Sequence, residues 1–296
     1  PDSSTSTPPR RLTPGRSSSC AKWATAVLGG GFERAPGKAR TPSRTGVRRT
    51  LPPCVNIADG PDMAWEYTQL PTSWSSRLGK GVPVLLDGAL GTELERRNVP
   101  ASLPLWSTHA LLEAPETIAN IHRDYVAAGA EILTAASFRT QRRSLARAPG
   151  ARLESQAGPL TRQAVLLARR AAQQASRPCW VAGSAPPLED CYRPDLVPSE
   201  RVARSEHREH IAHLVEAGCD LIAVETMNCA REARVAAEAA AETGVPFWVS
   251  FVCGPEARLL SGETLATAID AIRDTRPAAV GVNCVAVSQV SACLPV

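Results

Sequence analysis

The sequence predicts an α/β protein built on parallel strands, either a doubly wound sheet or a (βα)8 barrel, and three observations lead there. From about residue 80 onward, short apolar β-rich runs alternate with helix-like segments. Those runs are near-continuously apolar, as in parallel strands covered on both faces. Strict β–α alternation over this length is the pattern of a parallel sheet with crossover helices.

Six strands are predicted: Val82–Asp87, Glu131–Ser137, Cys179–Ser184, Asp220–Thr226, Pro246–Val252 and Ala278–Cys284. Helix signals lie between them. Pro115 and Glu116 suit a first helical turn, Ile118, Ile121 and Tyr125 space an apolar face, and Gly129 supplies a stop. Leu160–Ala175 is rich in Ala, Leu and Arg. Ser199 is placed to cap a helix containing Ile211, Leu214 and Val215 that ends at Gly218. Arg231–Glu242 is nearly all Ala and Glu, Thr264–Arg273 is a fifth helix, and a sixth starts near Ser288. A barrel needs about 250 residues and eight strands. Only 215 residues remain from Val82 onward, so a barrel here carries about six βα units.

Residues 1–62 form a different kind of sequence, rich in Pro, Ser and Arg, that cannot bury enough apolar surface to offset its ordering entropy. They are expected to be a disordered tail, with 63–79 as a lead-in; Met63 is an alternative natural start. The tail holds ten Lys/Arg and four Asp/Glu, whereas the body holds 23 and 25. The net charge of +4 therefore comes from the tail, and no basic stripe marks the body as a nucleic-acid-binding face. No apolar run reaches 18 residues, so no membrane span is expected. Nine cysteines at irregular spacing, without a C-x-x-C pair, argue against a disulfide framework and fit a reducing, cytoplasmic setting.

In either architecture ligands bind at the C-terminal ends of the strands. Those ends offer Asp87-Gly88, Ser137, Gly183-Ser184, Glu225-Thr226, Ser250 and Asn283-Cys284. Two carboxylates and a thiol thus converge on one rim. The carboxylates could hold an ammonium group by charge-assisted hydrogen bonds or cap the next helix. The thiol could be a nucleophile, a soft metal ligand or a small buried residue.

Five segments, DGALGTELERR, PETIANIHRDYVAAGAEILTAASF, AGSAPPLEDCYRPDLVP, EAGCDLIAVETMNCAREARVA and VGVNC, resemble in order and spacing the homocysteine S-methyltransferase family over about residues 80–296. The resemblance implies a (βα)8 TIM-type barrel, so that 80–296 would be the homocysteine-binding barrel lacking its last two strands. It implies a zinc ion held by three cysteine thiolates. One, in an Asn-Cys motif, matches Cys284 after Asn283; the Gly-Gly-Cys-Cys motif that supplies the other two has no match in this sequence. It implies that Asp87 and Glu225 contact the amino group of homocysteine, with Gly88, Asn283 and Ser137 of the second-strand motif also at the substrate. The implied reaction is methyl transfer from a sulfonium or ammonium donor, S-methylmethionine being favoured, to the homocysteine thiol. With one zinc ligand of three, this chain alone is expected to bind zinc weakly and not to turn over. The competing reading is an inactive barrel fragment acting as a weak amino-acid-binding or interaction module.

Three further signals carry less. His207, His210 and His213 recur every third residue and are expected on a solvated helix face. Cys253, ending the fifth strand, is the better of the cysteines that could replace a missing ligand, and Cys191 reads as an ordinary loop cysteine, the alternative being one that faces the substrate. Gly88-x-x-Gly91 is too short for a dinucleotide fingerprint and reads as a tight turn.

Overall fold

The computed structural model describes residues 23–28, 83–148 and 152–293. The lead-in 63–79, Met63, Cys20, Cys54 and most of the tail lie outside the described residues. The elements, in chain order, are β1 (Trp23–Leu28), α1 (Leu90–Arg96), α2 (Ser107–Glu113), α3 (Pro115–Ala128), β2 (Ile132–Thr134), α4 (Arg142–Leu145), α5 (Ala157–Ala172), β3 (Trp180–Ala185), α6 (Glu200–Glu216), β4 (Leu221–Met227), α7 (Ala230–Ala241), β5 (Phe247–Phe251), α8 (Leu265–Ile272), β6 (Ala279–Ala286) and α9 (Val287–Cys293). The sheet order is β1-β6-β5-β4-β3-β2, with β2 to β6 all parallel. The fold is thus α/β, with five parallel strands curled into a half-barrel and helices outside.

Five of the six predicted strands and all six predicted helices are present. The first predicted strand is reduced to a single parallel bridge, Leu86 to Ile132. Pro83 has no N–H to give a ladder, and the N–H of Leu85, which faces the β2 side, is taken by the Glu131 carboxylate at 3.1 Å. On the other flank, β1 pairs antiparallel with β6. Residues 23–28, within the stretch expected to be a disordered tail, form this strand. Trp-Ala-Thr-Ala-Val-Leu is a β-prone run, and the edge of β6 offers it backbone partners.

The helix ends follow the chemistry read from the sequence in most places. Pro115 occupies the first turn of α3, and Gly129 closes it in the left-handed region at φ 114°. Thr264 caps α8 by accepting from Thr267 N at 3.1 Å. Ser199 stands at the N-cap of α6 without a side-chain cap bond. Among the described residues no helix is long and apolar enough to cross a membrane.

Strand alternation sorts the core into two layers. On β4, Ile222 and Val224 face the helices, whereas Leu221 and Ala223 face the barrel interior with Trp180, Ala182 and Trp248. Two tryptophans thus fill the interior where a barrel needs bulk. Gly183, on the helix-facing side of β3, sits so tightly under α6 that an added Cβ would meet Leu214 Cδ2 at 2.9 Å and Cys219 Sγ at 3.2 Å. Gly183→Ala is therefore expected to destabilise the fold by about 1–3 kcal/mol through overpacking. Urea unfolding checks this; an unchanged midpoint would mean that α6 shifts freely.

Candidate functional site

The strand ends do converge, and buried hydrogen bonds hold them. Asp87 follows the Leu86 bridge and lies across from the end of β2. Its Oδ2 accepts from Thr134 N at 2.7 Å and its Oδ1 from Thr134 Oγ1 at 2.9 Å. Gly88 comes next under the Tyr125 ring: a Cβ there would lie 2.7 Å from the Tyr125 hydroxyl and push that side chain aside. Burial and the nearby charge of Glu225 push the Asp87 carboxyl up to about 7, against the pull of Thr134. Glu225, on β4, is likewise raised by burial to about 7 while the Ser184 hydroxyl pulls it down. Two carboxyl groups so raised resist carrying their charges together in the empty rim.

Asn283 ties three strands together. Its Oδ1 accepts from Thr226 N and from Ser250 Oγ, both at 2.9 Å. Its Nδ2 donates to Glu225 Oε2 at 3.0 Å and to Thr226 Oγ1 at 2.8 Å. These bonds support two unusual backbones. Thr226 has φ 60° and Cys284 has φ 55°, the left-handed region that costs most for a β-branched residue. The β4–β5 register shifts between Val224 and Met227, at the same place. Strain concentrated near the ends of β4 and β6, with β5 between them, fits a functional site.

Cys284 Sγ lies 3.6 Å from Thr226 Oγ1 and 3.7 Å from Asn283 Nδ2. Burial and the Glu225 charge push its thiol up to about 11. Cys191 is its neighbour across the rim, raised to about 12 by burial, with Cys284 and Arg139 close enough to be felt. Among the described residues, no group of three His, Cys, Asp or Glu is placed to share a metal ion. Zinc sites use three or four protein ligands, so the described donors do not by themselves make one. Cys253 is buried beside Cys293.

The loop after β3 carries Cys191 and the half-exposed Tyr192, and side chains from three directions clamp its backbone. Glu232 Oε1 accepts from Leu188 N at 2.9 Å, Arg139 Nη1 donates to Glu189 O at 2.8 Å, and Asn228 Nδ2 donates to Cys191 O at 3.1 Å. Glu189 itself is gripped by Arg143 and Arg147. His207 and His210 belong to this scaffold rather than to a solvated face, and His213 is half-buried beside Gly158. His207 is fully buried with its Nε2 3.2 Å from Glu232 Oε1, and His210 is 3% exposed with its Nε2 donating to Ser184 O at 2.9 Å. A three-residue spacing drifts slowly enough around α6 for both to face β3 and α7, where the carboxylate and the carbonyl each take one ring nitrogen and leave Nδ1 buried without a hydrogen bond. Glu232→Ala is expected to cost about 1–3 kcal/mol by orphaning the Leu188 N–H and the His207 ring. It should also speed protease cleavage within residues 186–193. Unchanged cleavage would show that the other clamps suffice.

The site residues expected from the sequence therefore divide by position. Asp87, Gly88, Glu225 and Cys284 line the rim. Ser137 and Asn283 are buried, at 0% and 4% exposure, and the hydrogen bonds they make go to other protein groups. Thr134 and Ser184, the hydroxyls that hold the two acids, have no role in the sequence reading; only a cross-strand register could reveal them.

The fold and rim define a parallel α/β barrel-type protein whose strand ends gather two buried carboxyl groups and a thiol. The family model of homocysteine S-methyltransferase matches residues 84–295. The homocysteine S-methyltransferase of Escherichia coli K12 is 35% identical over 225 residues, covering 71% of this chain and 72% of that protein. YbgG of Bacillus subtilis, a homocysteine S-methyltransferase, is 33% identical over 218 residues, covering 68% and 69%. A selenocysteine Se-methyltransferase of Brassica oleracea is 32% identical over 228 residues, covering 68% of this chain and 64% of that protein. The crystal structure of the Escherichia coli homocysteine methyltransferase MmuM in its metallated form superposes with a TM-score of 0.64 at 34% identity, over 71% of this chain and 77% of that one. The chain belongs to the homocysteine S-methyltransferase family.

Proposed function

We propose that this site binds homocysteine through its amino end and serves methyl transfer to its sulfur, giving methionine. The observation that carries the reading is the facing pair Asp87 and Glu225, each held by a hydroxyl and an N–H donor, beside the Cys284 thiol. An ammonium group placed between the two carboxylates relieves their repulsion and replaces lost water by charge-assisted hydrogen bonds. With the amino acid end fixed, the side-chain sulfur is directed along the rim toward Cys284, and the reaction becomes one of placement. The homocysteine sulfur, having lost its proton, attacks the methyl carbon of a sulfonium or ammonium donor. The carbon–sulfur or carbon–nitrogen bond to the donor breaks, and the donor leaves neutral with the electron pair. S-methylmethionine is the donor we favour.

Zinc is the metal we propose for the active enzyme, with Cys284 as the one ligand the described residues can offer. Bound zinc would supply a thiolate form of the substrate at neutral pH; the roles given to Asp87 and Glu225 do not depend on it. The seven described cysteines are free thiols, which fits the cytoplasmic setting we propose.

Calorimetric titration tests the reading. L-homocysteine is expected to bind one to one, and N-acetyl-homocysteine, whose nitrogen carries no charge, about 100-fold more weakly. Equal affinity for the two would overturn the assignment of Asp87 and Glu225.

A further inference from the structure

We propose that Ser184 is the positioning residue of this site, holding Glu225 in the orientation and charge state that receive the substrate ammonium. The inference rests on the homocysteine reading and deepens it. Ser184 sits at the end of β3, 1% exposed, and its backbone is locked on both sides. Its N–H donates to Ser137 Oγ at 3.0 Å. Its carbonyl accepts from Ser137 Oγ at 3.1 Å and from His210 Nε2 at 2.9 Å. A residue so fixed can aim its side chain in one direction, and that hydroxyl donates to Glu225 Oε1. Asn283 Nδ2 holds the other oxygen at 3.0 Å. The carboxylate plane is therefore set by one donor on each oxygen, leaving its remaining lone pairs for the rim.

The arrangement repeats across the site. Thr134 gives Asp87 a hydroxyl and an N–H, as Ser184 and Asn283 give Glu225 a hydroxyl and an amide N–H. A glutamate side chain has three rotatable bonds, and freezing them before the ligand arrives removes an entropy cost from binding. The same view accounts for Ser137 and His210, which touch nothing at the rim. They hold the backbone of the residue that holds the acid.

The ionisable groups facing Glu225 are Asp87 and Cys284, and a Ser184 variant alters neither. Ser184→Ala is compared with Ser184→Thr, which keeps the hydroxyl, by calorimetry with two ligands. One is L-homocysteine; the other is the 2-hydroxy analogue of methionine, which has no ammonium group. Ser184→Ala is expected to weaken L-homocysteine about 10-fold and to leave the hydroxy acid within about twofold, and Ser184→Thr to restore the loss. No loss, or equal loss for both ligands, would overturn the proposal. Should Ser184→Ala fail to fold, Ser184→Cys, of similar shape but a poor donor, takes its place. If the unaltered chain binds neither ligand, the homocysteine reading falls, and Ser184 is judged on the carbon-13 signal of the Glu225 carboxyl. A higher titration midpoint in the variant supports the role, and an unmoved midpoint removes it.

Discussion

Glu225→Gln is expected to weaken L-homocysteine binding by about 10- to 100-fold, the loss of one hydrogen bond between charged partners. The amide keeps the size of the side chain and can still accept from the Ser184 hydroxyl. What disappears is the charge, with half of the field that attracts the ammonium group, and the acceptor of Asn283 Nδ2, which then meets an amide N–H. The variant is also expected to gain stability, because a carboxyl raised to about 7 by burial is one whose charge opposes folding at neutral pH. Tighter folding with poorer binding is the signature of a residue kept for function. Asp87→Asn is expected to behave alike, though it weakens two bonds from Thr134 as well. A Glu225→Gln protein that binds homocysteine as tightly as the unaltered chain would show that the ammonium group lies elsewhere. Calorimetry and a urea series on the same sample separate the two effects.

Much of this site was legible in the sequence, for a definable reason. Strand-end position is a one-dimensional property: an apolar run ending in Asp-Gly, Glu-Thr or Asn-Cys announces a polar group on the rim, and all three lie there. The helices were equally open to reading where Pro115, Gly129 and Thr264 mark their ends. What the sequence concealed depends on register between distant strands. Ser137 and Asn283 occupy strand-end positions like those of Asp87 and Glu225, yet each is turned to a neighbouring strand, 47 residues away for Ser137 and Ser184. The histidines of α6 were concealed for a related reason. A polar side chain at helical spacing reads as solvent-facing unless its buried partner is known, and Glu232 lies 25 residues beyond His207. The first strand shrank to one bridge because a single proline and one side-chain acceptor outweighed its apolar pattern.

Acid is expected to act differently on the unaltered chain and on Asp87→Asn, and the difference reports the state of the site. Asp87 and Glu225 are raised from 3.8 and 4.5 to about 7 in the fold. Between about pH 4.5 and 7 the native state thus holds protons that the unfolded chain has lost, and stability falls as pH rises. His122 and His210 are lowered by burial from 6.5 to about 4. Between about pH 4 and 6.5 the unfolded chain holds protons that the native state refuses, and stability rises with pH. Two groups of each kind oppose one another, so these four are expected to leave stability nearly flat from pH 4.5 to 6.5 and falling above it. Glu93, Glu209 and Glu242, held low by arginines, titrate beneath this window. Asp87→Asn removes one carboxyl and unbalances the set. Its stability is expected to rise with pH across the window by up to about 1.4 kcal/mol per unit, one proton's worth. Urea midpoints at half-unit intervals measure both slopes. Parallel slopes would mean that Asp87 is ionised in the empty site and that homocysteine meets a rim already charged. Divergent slopes would mean that the ammonium group displaces protons as it binds, so that homocysteine affinity climbs as pH rises toward 7.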